Sequence, residues 1–329
     1  MARPRKIPEQ QLARVHRLEA ILSAATEAGD LPRAKIALDD LRPILERYHH
    51  NHRVLEAYLM LYETALEAWD LDLAKRGFEF VRREANKRTR LSLEATVLLA
   101  LAHLRSQDLF SAEPLMAEAL RNDDVITSKP QRDAFRREAI ERFDQDGALA
   151  SMARLHPEVM HEAQVHRDAL GLLRKGLNEQ DIEEDLGSRI PQEVKDFILK
   201  VDVLSRKLLP HETRLLLPSP GDVVKNRQVA QLVFSAAKRR LYGMVCDENS
   251  ETYQAWINGG LAAICSRGYV ASAVVAVLVD IKISIPAVAV GMSALLMKRG
   301  LTNFCRLSKP KRFMGLRGKR SNKTPGEIR

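Results

Sequence analysis

Asp30-Leu31-Pro32-Arg33-Ala34 returns as Asp70-Leu71-Asp72-Leu73-Ala74, again as Asp108-Leu109-Phe110-Ser111-Ala112, and in weaker form as Asp146-Gly147-Ala148-Leu149-Ala150. The aspartates are spaced by 40, 38 and 38 residues, the mark of a structural unit stacked on copies of itself. Apolar periodicity predicts helices before the copies, over residues 18–28, 55–69 and 91–104, and after them, over 34–45, 74–81 and 112–120. Each unit therefore reads as a helical hairpin. The Asp caps the free N–H groups of the second helix. Ala34, Ala74 and Ala112 are small enough for two helices to approach closely, and Leu38, Phe78 and Met116, four residues on, supply core knobs. One hairpin cannot bury its apolar face alone, so stacked copies should share a continuous core, with turns at Asp30, Asp70, Asp108 and Asp146.

Over roughly residues 15–157 this pattern resembles the tetratricopeptide repeat, in which a turn leads into a small residue and then a large apolar one. It departs where that family expects Gly and Tyr in the first helix: here stand Leu22 and Ala25, Tyr62 and Ala65, and Ala100 and His103. The period is also longer than the family's, and the closing Pro is missing except at Pro157. The resemblance implies a partner groove built on Asp30, Ala34, Asp70, Ala74, Asp108, Ala112, Asp146 and Ala150, taking a protein or peptide.

Beyond the repeats, residues 158–218 read as a helical connector, in which Asn178 caps one helix, Gly187 ends it and Pro191 opens the next. Pro210, Pro218, Pro220 and Gly221 mark the boundary of a further unit, residues 219–307. Within it, residues 269–297 carry only two charges, Asp280 and Lys282, and Pro286 splits the run into two apolar arms. Each arm is shorter than a membrane span. A buried helical hairpin, a segment that inserts into a membrane, and a buried strand through 274–279 are the three readings that this composition supports. The expected fold class is all-α: a tetratricopeptide-like solenoid over residues 1–157, the connector, a small and mostly helical C-terminal domain with an apolar hairpin, and a basic disordered tail over 308–329.

The formal net charge of +9 is a property of that tail. From Lys298 to Arg329 stand eleven Lys and Arg and one acid, Glu327, so the rest of the chain is close to neutral. Lys298, Arg299, Lys309, Lys311, Arg312, Arg317, Lys319 and Arg320 form a candidate surface for polyanions, either nucleic-acid phosphates or an anionic membrane. A second basic run, Arg82, Arg83, Lys87, Arg88 and Arg90, ends a predicted helix, where cations complement the dipole.

Recognisable enzyme chemistry is sparse. No P-loop, GxSxG, HExxH or GxGxxG sequence occurs. Arg47 and His52 have a spacing that resembles the Arg-x4-His motif of HEPN ribonucleases, although Tyr48 departs from its polar preference; a solvated loop between units is the plainer reading. Cys246, Cys265 and Cys305 are too far apart for a CxxC metal site, and their odd number argues against a disulfide framework and for a reducing cytosol. No cofactor or metal is expected.

These features suggest a cytoplasmic scaffold or sensor, with its repeats coupled to an output or assembly domain that acts as a homo-oligomer or at the inner face of a membrane. In plan the chain resembles bacterial conflict and cell-death proteins. The alternative is a nucleic-acid-binding protein using the tail and the Arg82–Arg90 run.

Overall fold

Helix α1 (Glu9–Ala28) stops where Gly29 takes the left-handed conformation, φ 68°, and Asp30 caps helix α2 (Leu31–Arg47) by accepting from the Arg33 amide at 3.0 Å. The same turn recurs twice. Trp69 (φ 60°) links α3 (Asn51–Glu67) to α4 (Leu71–Glu84), and Gln107 (φ 56°) links α5 (Arg90–Arg105) to α6 (Leu109–Arg121). In each case the Asp amide donates back to the carbonyl five residues earlier at 2.9 Å, while its carboxylate caps the next helix. Such a turn satisfies orphan groups of both helices at once, offsetting about 1 kcal/mol of left-handed strain at Trp69 and Gln107.

The computed structural model describes residues 4–156, 158–209, 211, 214, 219–246, 253–254, 257–258 and 268–307. Among these residues the architecture is helical throughout, with no strand, and the first six helices pack in order, each against its neighbour, consistent with a helical-repeat fold. Ala34, Ala74 and Ala112 are fully buried at the pair contacts, and Phe78 and Met116 fill the core behind them. The candidate tail residues Lys309, Lys311, Arg312, Arg317, Lys319 and Arg320, and Cys265, lie outside the described residues.

The fourth unit departs from expectation. Asp146 and Ala150 do not mark a turn but stand inside one long helix, α7 (Lys129–Met152), and both are buried. The partner of α7 is not the next helix but α10 (Gln192–Lys207), whose Val201, with Leu209 just beyond its end, completes the core of the third pair. Between them α8 (Glu162–Arg174) and α9 (Glu179–Ser188) pack instead against the C-terminal helices. Asn178 caps α9 through a reciprocal bond with Asp181. Gly187 does not terminate that helix; it lies within it, where a Cβ would collide with the backbone of Asn226. Pro191 likewise precedes α10 rather than opening its first turn.

The remaining helices, α11 (Asn226–Cys246), α12 (Tyr269–Asp280), α13 (Pro286–Arg299) and α14 (Leu301–Leu307), build one apolar core with α8, α9 and the end of α7. Residues 269–297 are thus two buried helices, and the strand reading of 274–279 is corrected: β-branched side chains in α12 are held by burial, which overrides their propensity. No helix among the described residues is long and apolar enough to cross a membrane. A second correction concerns cysteine. Cys246 closes α11, Cys305 lies in α14, and the fold joins them in a disulfide across a separation of 59 residues.

Candidate functional site

The ends of α3, α5 and α7 meet in a buried layer of charge. Arg105, at the end of α5, is 6% exposed. Its Nε pairs with Asp146, its Nη1 donates to the Leu66 carbonyl at the end of α3, and its Nη2 stands 3.3 Å from Glu67 Oε1. Arg142, 2% exposed, closes the ring, with Nη2 3.4 Å from Glu67 and Nε 3.6 Å from Asp146. Trp69, held by its left-handed turn, offers its ring to the Arg105 guanidinium at 5.5 Å. Burial alone would raise the Glu67 pKa, but Arg105, Arg142 and Arg240 outweigh it and hold this carboxyl below its ordinary value.

Arg240 brings the C-terminal half into this layer. It projects from α11, donates through Nη1 to the Ala28 carbonyl at 3.2 Å, and pairs through Nη2 with Asp280 at the end of α12. Arg240 thus does for the end of α1 what Arg105 does for the end of α3: it satisfies a helix's last carbonyls and complements its dipole. Gly29 makes this approach possible, because a Cβ there would collide with the Arg240 guanidinium. Burial lowers the Arg240 pKa and Arg105 adds to that, while Glu67 opposes it. Through Arg240 the layer ties α11 to the end of α1 and to the end of α12.

The residues singled out from sequence divide sharply. Asp30, Asp70 and Asp108 are caps at the turn edge. Asp146 belongs to the charged layer instead, which no local signal foretold. Of the basic candidates, Arg82 bonds Thr96 and Glu118, Arg90 bonds Glu94, and Arg299 bonds Glu179 and Glu183 while lying 4.7 Å over the Phe234 ring. Lys298 is exposed. Arg47 and His52 flank the turn between α2 and α3, with His52 Nε2 3.5 Å from Glu56 and the Arg47 guanidinium over the Tyr48 ring. Among the described residues no cluster of His, Cys, Asp and Glu could hold a metal ion. No protein-family model, curated protein or solved structure matches the chain.

Proposed function

We propose that this chain is a protein-binding helical-repeat scaffold or sensor, tetratricopeptide-like in its first half, whose repeats are coupled to a C-terminal output or assembly domain. The observation that carries this reading is the Arg240 junction. One side chain of the C-terminal half caps α1 of the repeat half and pairs with Asp280 beside the apolar hairpin. A partner that displaces α1 from the rest of the stack therefore acts on Arg240, and through Asp280 on α12. Such coupling requires only that the partner favour one of the two arrangements. Membrane docking of the output domain is compatible with this plan but needs α12 and α13 to leave a buried position. For the rival, nucleic-acid binding, Arg82, Arg90 and Arg299 hold carboxylates of their own chain, while the tail residues Lys309 to Arg320 lie outside the described residues.

The test is affinity capture on the full chain with nuclease treatment and a salt series, beside Arg240→Ala. A protein recovered after nuclease and at high salt, and in different yield on the variant, supports the reading. Recovery of nucleic acid alone, with a steep negative dependence on salt, favours the rival.

A further inference from the structure

A cavity of about 460 Å³ lies between α7, α10 and α11. Ile140, Val223 and Leu232 supply apolar wall, while Asp144 of α7 lines its polar side. Asp144 is 8% exposed, and its Oδ1 is buried without a hydrogen-bond partner. Buried acceptors are almost always satisfied, so an unpartnered carboxylate on a residue that lines a cavity of ligand size points to a donor from outside the chain.

The surrounding charges define what kind of donor. From α10, Arg206 gives its Nε to both carboxylate oxygens of Asp202, at 2.7 Å each, so its charge is shared with a second buried acid. From α7 itself, Glu141 also lines the cavity and accepts from Gln145 at 2.9 Å; Lys238 of α11 acts on it from a distance. Asp222 is paired with Lys225, and Arg137 is exposed at the rim. The α11 residues that line the cavity are uncharged. Among the described residues that line the cavity, three acids (Glu141, Asp144 and Asp222) stand beside two arginines (Arg137 and Arg206).

We propose that this cavity binds a small organic cation, an ammonium or guanidinium group on a short apolar body, with its N–H donors on Asp144 and its hydrocarbon against Ile140 and Leu232. A metal ion is the poorer occupant, since no metal-binding cluster forms among the described residues. Burial, reinforced by Asp202 and Glu141 and opposed by Arg206, holds the empty-site Asp144 carboxyl well above its ordinary pKa. Binding of the cation then releases a proton from that carboxyl and tightens as pH rises.

The experiment is calorimetric titration of the full chain with n-hexylammonium and agmatine, beside the neutral and anionic isosteres hexan-1-ol and hexanoate. The expected result is saturable binding of the cations, about tenfold or more tighter than either isostere and strengthening as pH rises above the ordinary carboxylate range. Asp144→Asn, nearly isosteric and checked for retained helicity by circular dichroism, should weaken it by about tenfold or more. Ser235→Met narrows the same cavity without touching a carboxylate and should also weaken binding; it decides the matter should the first variant fail to fold. Isosteres binding as well as the cations, or undiminished affinity in a folded Asp144→Asn or in Ser235→Met, would overturn the assignment.

Discussion

The guanidinium of Arg240 reaches the carbonyl oxygen of Ala28 at 3.2 Å, joining residues 212 positions apart. In the second unit the equivalent helix end is capped from within the repeats, by Arg105 on the Leu66 carbonyl. The first unit borrows its cap from the far end of the chain, and Gly29 leaves the room for it.

Arg240→Ala should therefore act locally and at a distance. Loss of a charge-assisted bond and of the Asp280 partner is expected to cost roughly 1–3 kcal/mol. Amide exchange should accelerate at Gly29 and Asp30 and at the end of α12, while the Asp70 and Asp108 turns keep their protection. Uniform exchange across the three turns would contradict a private cap on α1.

Glu67 sets the acid limb of stability. Its folded pKa lies below the unfolded one, so its contribution is full above about pH 4.3 and is lost as pH falls through the folded value. Glu67→Gln should flatten that limb and, by leaving Arg105 and Arg142 short of negative charge, cost about 3 kcal/mol near neutrality. Urea denaturation from about pH 3 to 7 reads both effects. Parallel curves for the two proteins would rule out the assigned role.

Three of the four turns were legible because an Asp cap is a local device: carboxylate, amide and small residue all lie within five positions. The fourth copy has the same spelling and a different fate. Asp146 answers to Arg105, 41 residues away, and a buried carboxylate with that partner needs no turn. Nothing near residue 146 encodes this pairing, nor does anything near α7 encode α10 as its mate. The split of residues 269–297 at Pro286 was equally local and readable, whereas the burial of both arms depends on α8, α9 and α11. The orphan oxygen of Asp144 belongs to the same unreadable class, since only the packed helices create its cavity.

The disulfide makes a covalent prediction. Peptide mapping without reductant should recover Cys246 linked to Cys305, with Cys265 as the remaining thiol. By the chain-entropy account, closing a loop of 59 residues stabilises by up to about 4 kcal/mol. Reductant, or Cys246→Ser, should lower the melting temperature accordingly. Alkylation of all three thiols in the unreduced native protein would refute the pairing.

Asp144 should show the opposite pH behaviour to Glu67. A carboxyl whose folded pKa is raised binds its proton more tightly in the native state, so it contributes no penalty at low pH. The penalty grows as pH rises through the unfolded value, about 3.9, and levels off above the folded one. Asp144→Asn removes the ionisable group and keeps the shape. The variant should therefore match the native protein near pH 3 and exceed it near pH 7, by roughly 1–3 kcal/mol for a buried unsatisfied acceptor. Few substitutions of a buried acid gain stability, and one that does so while losing a ligand marks a residue retained for binding rather than folding. Chemical denaturation of both proteins at the two pH values measures the difference. A variant less stable than the native protein near neutrality would mean that Asp144 has a structural partner, and the proposed cation site would fall with it.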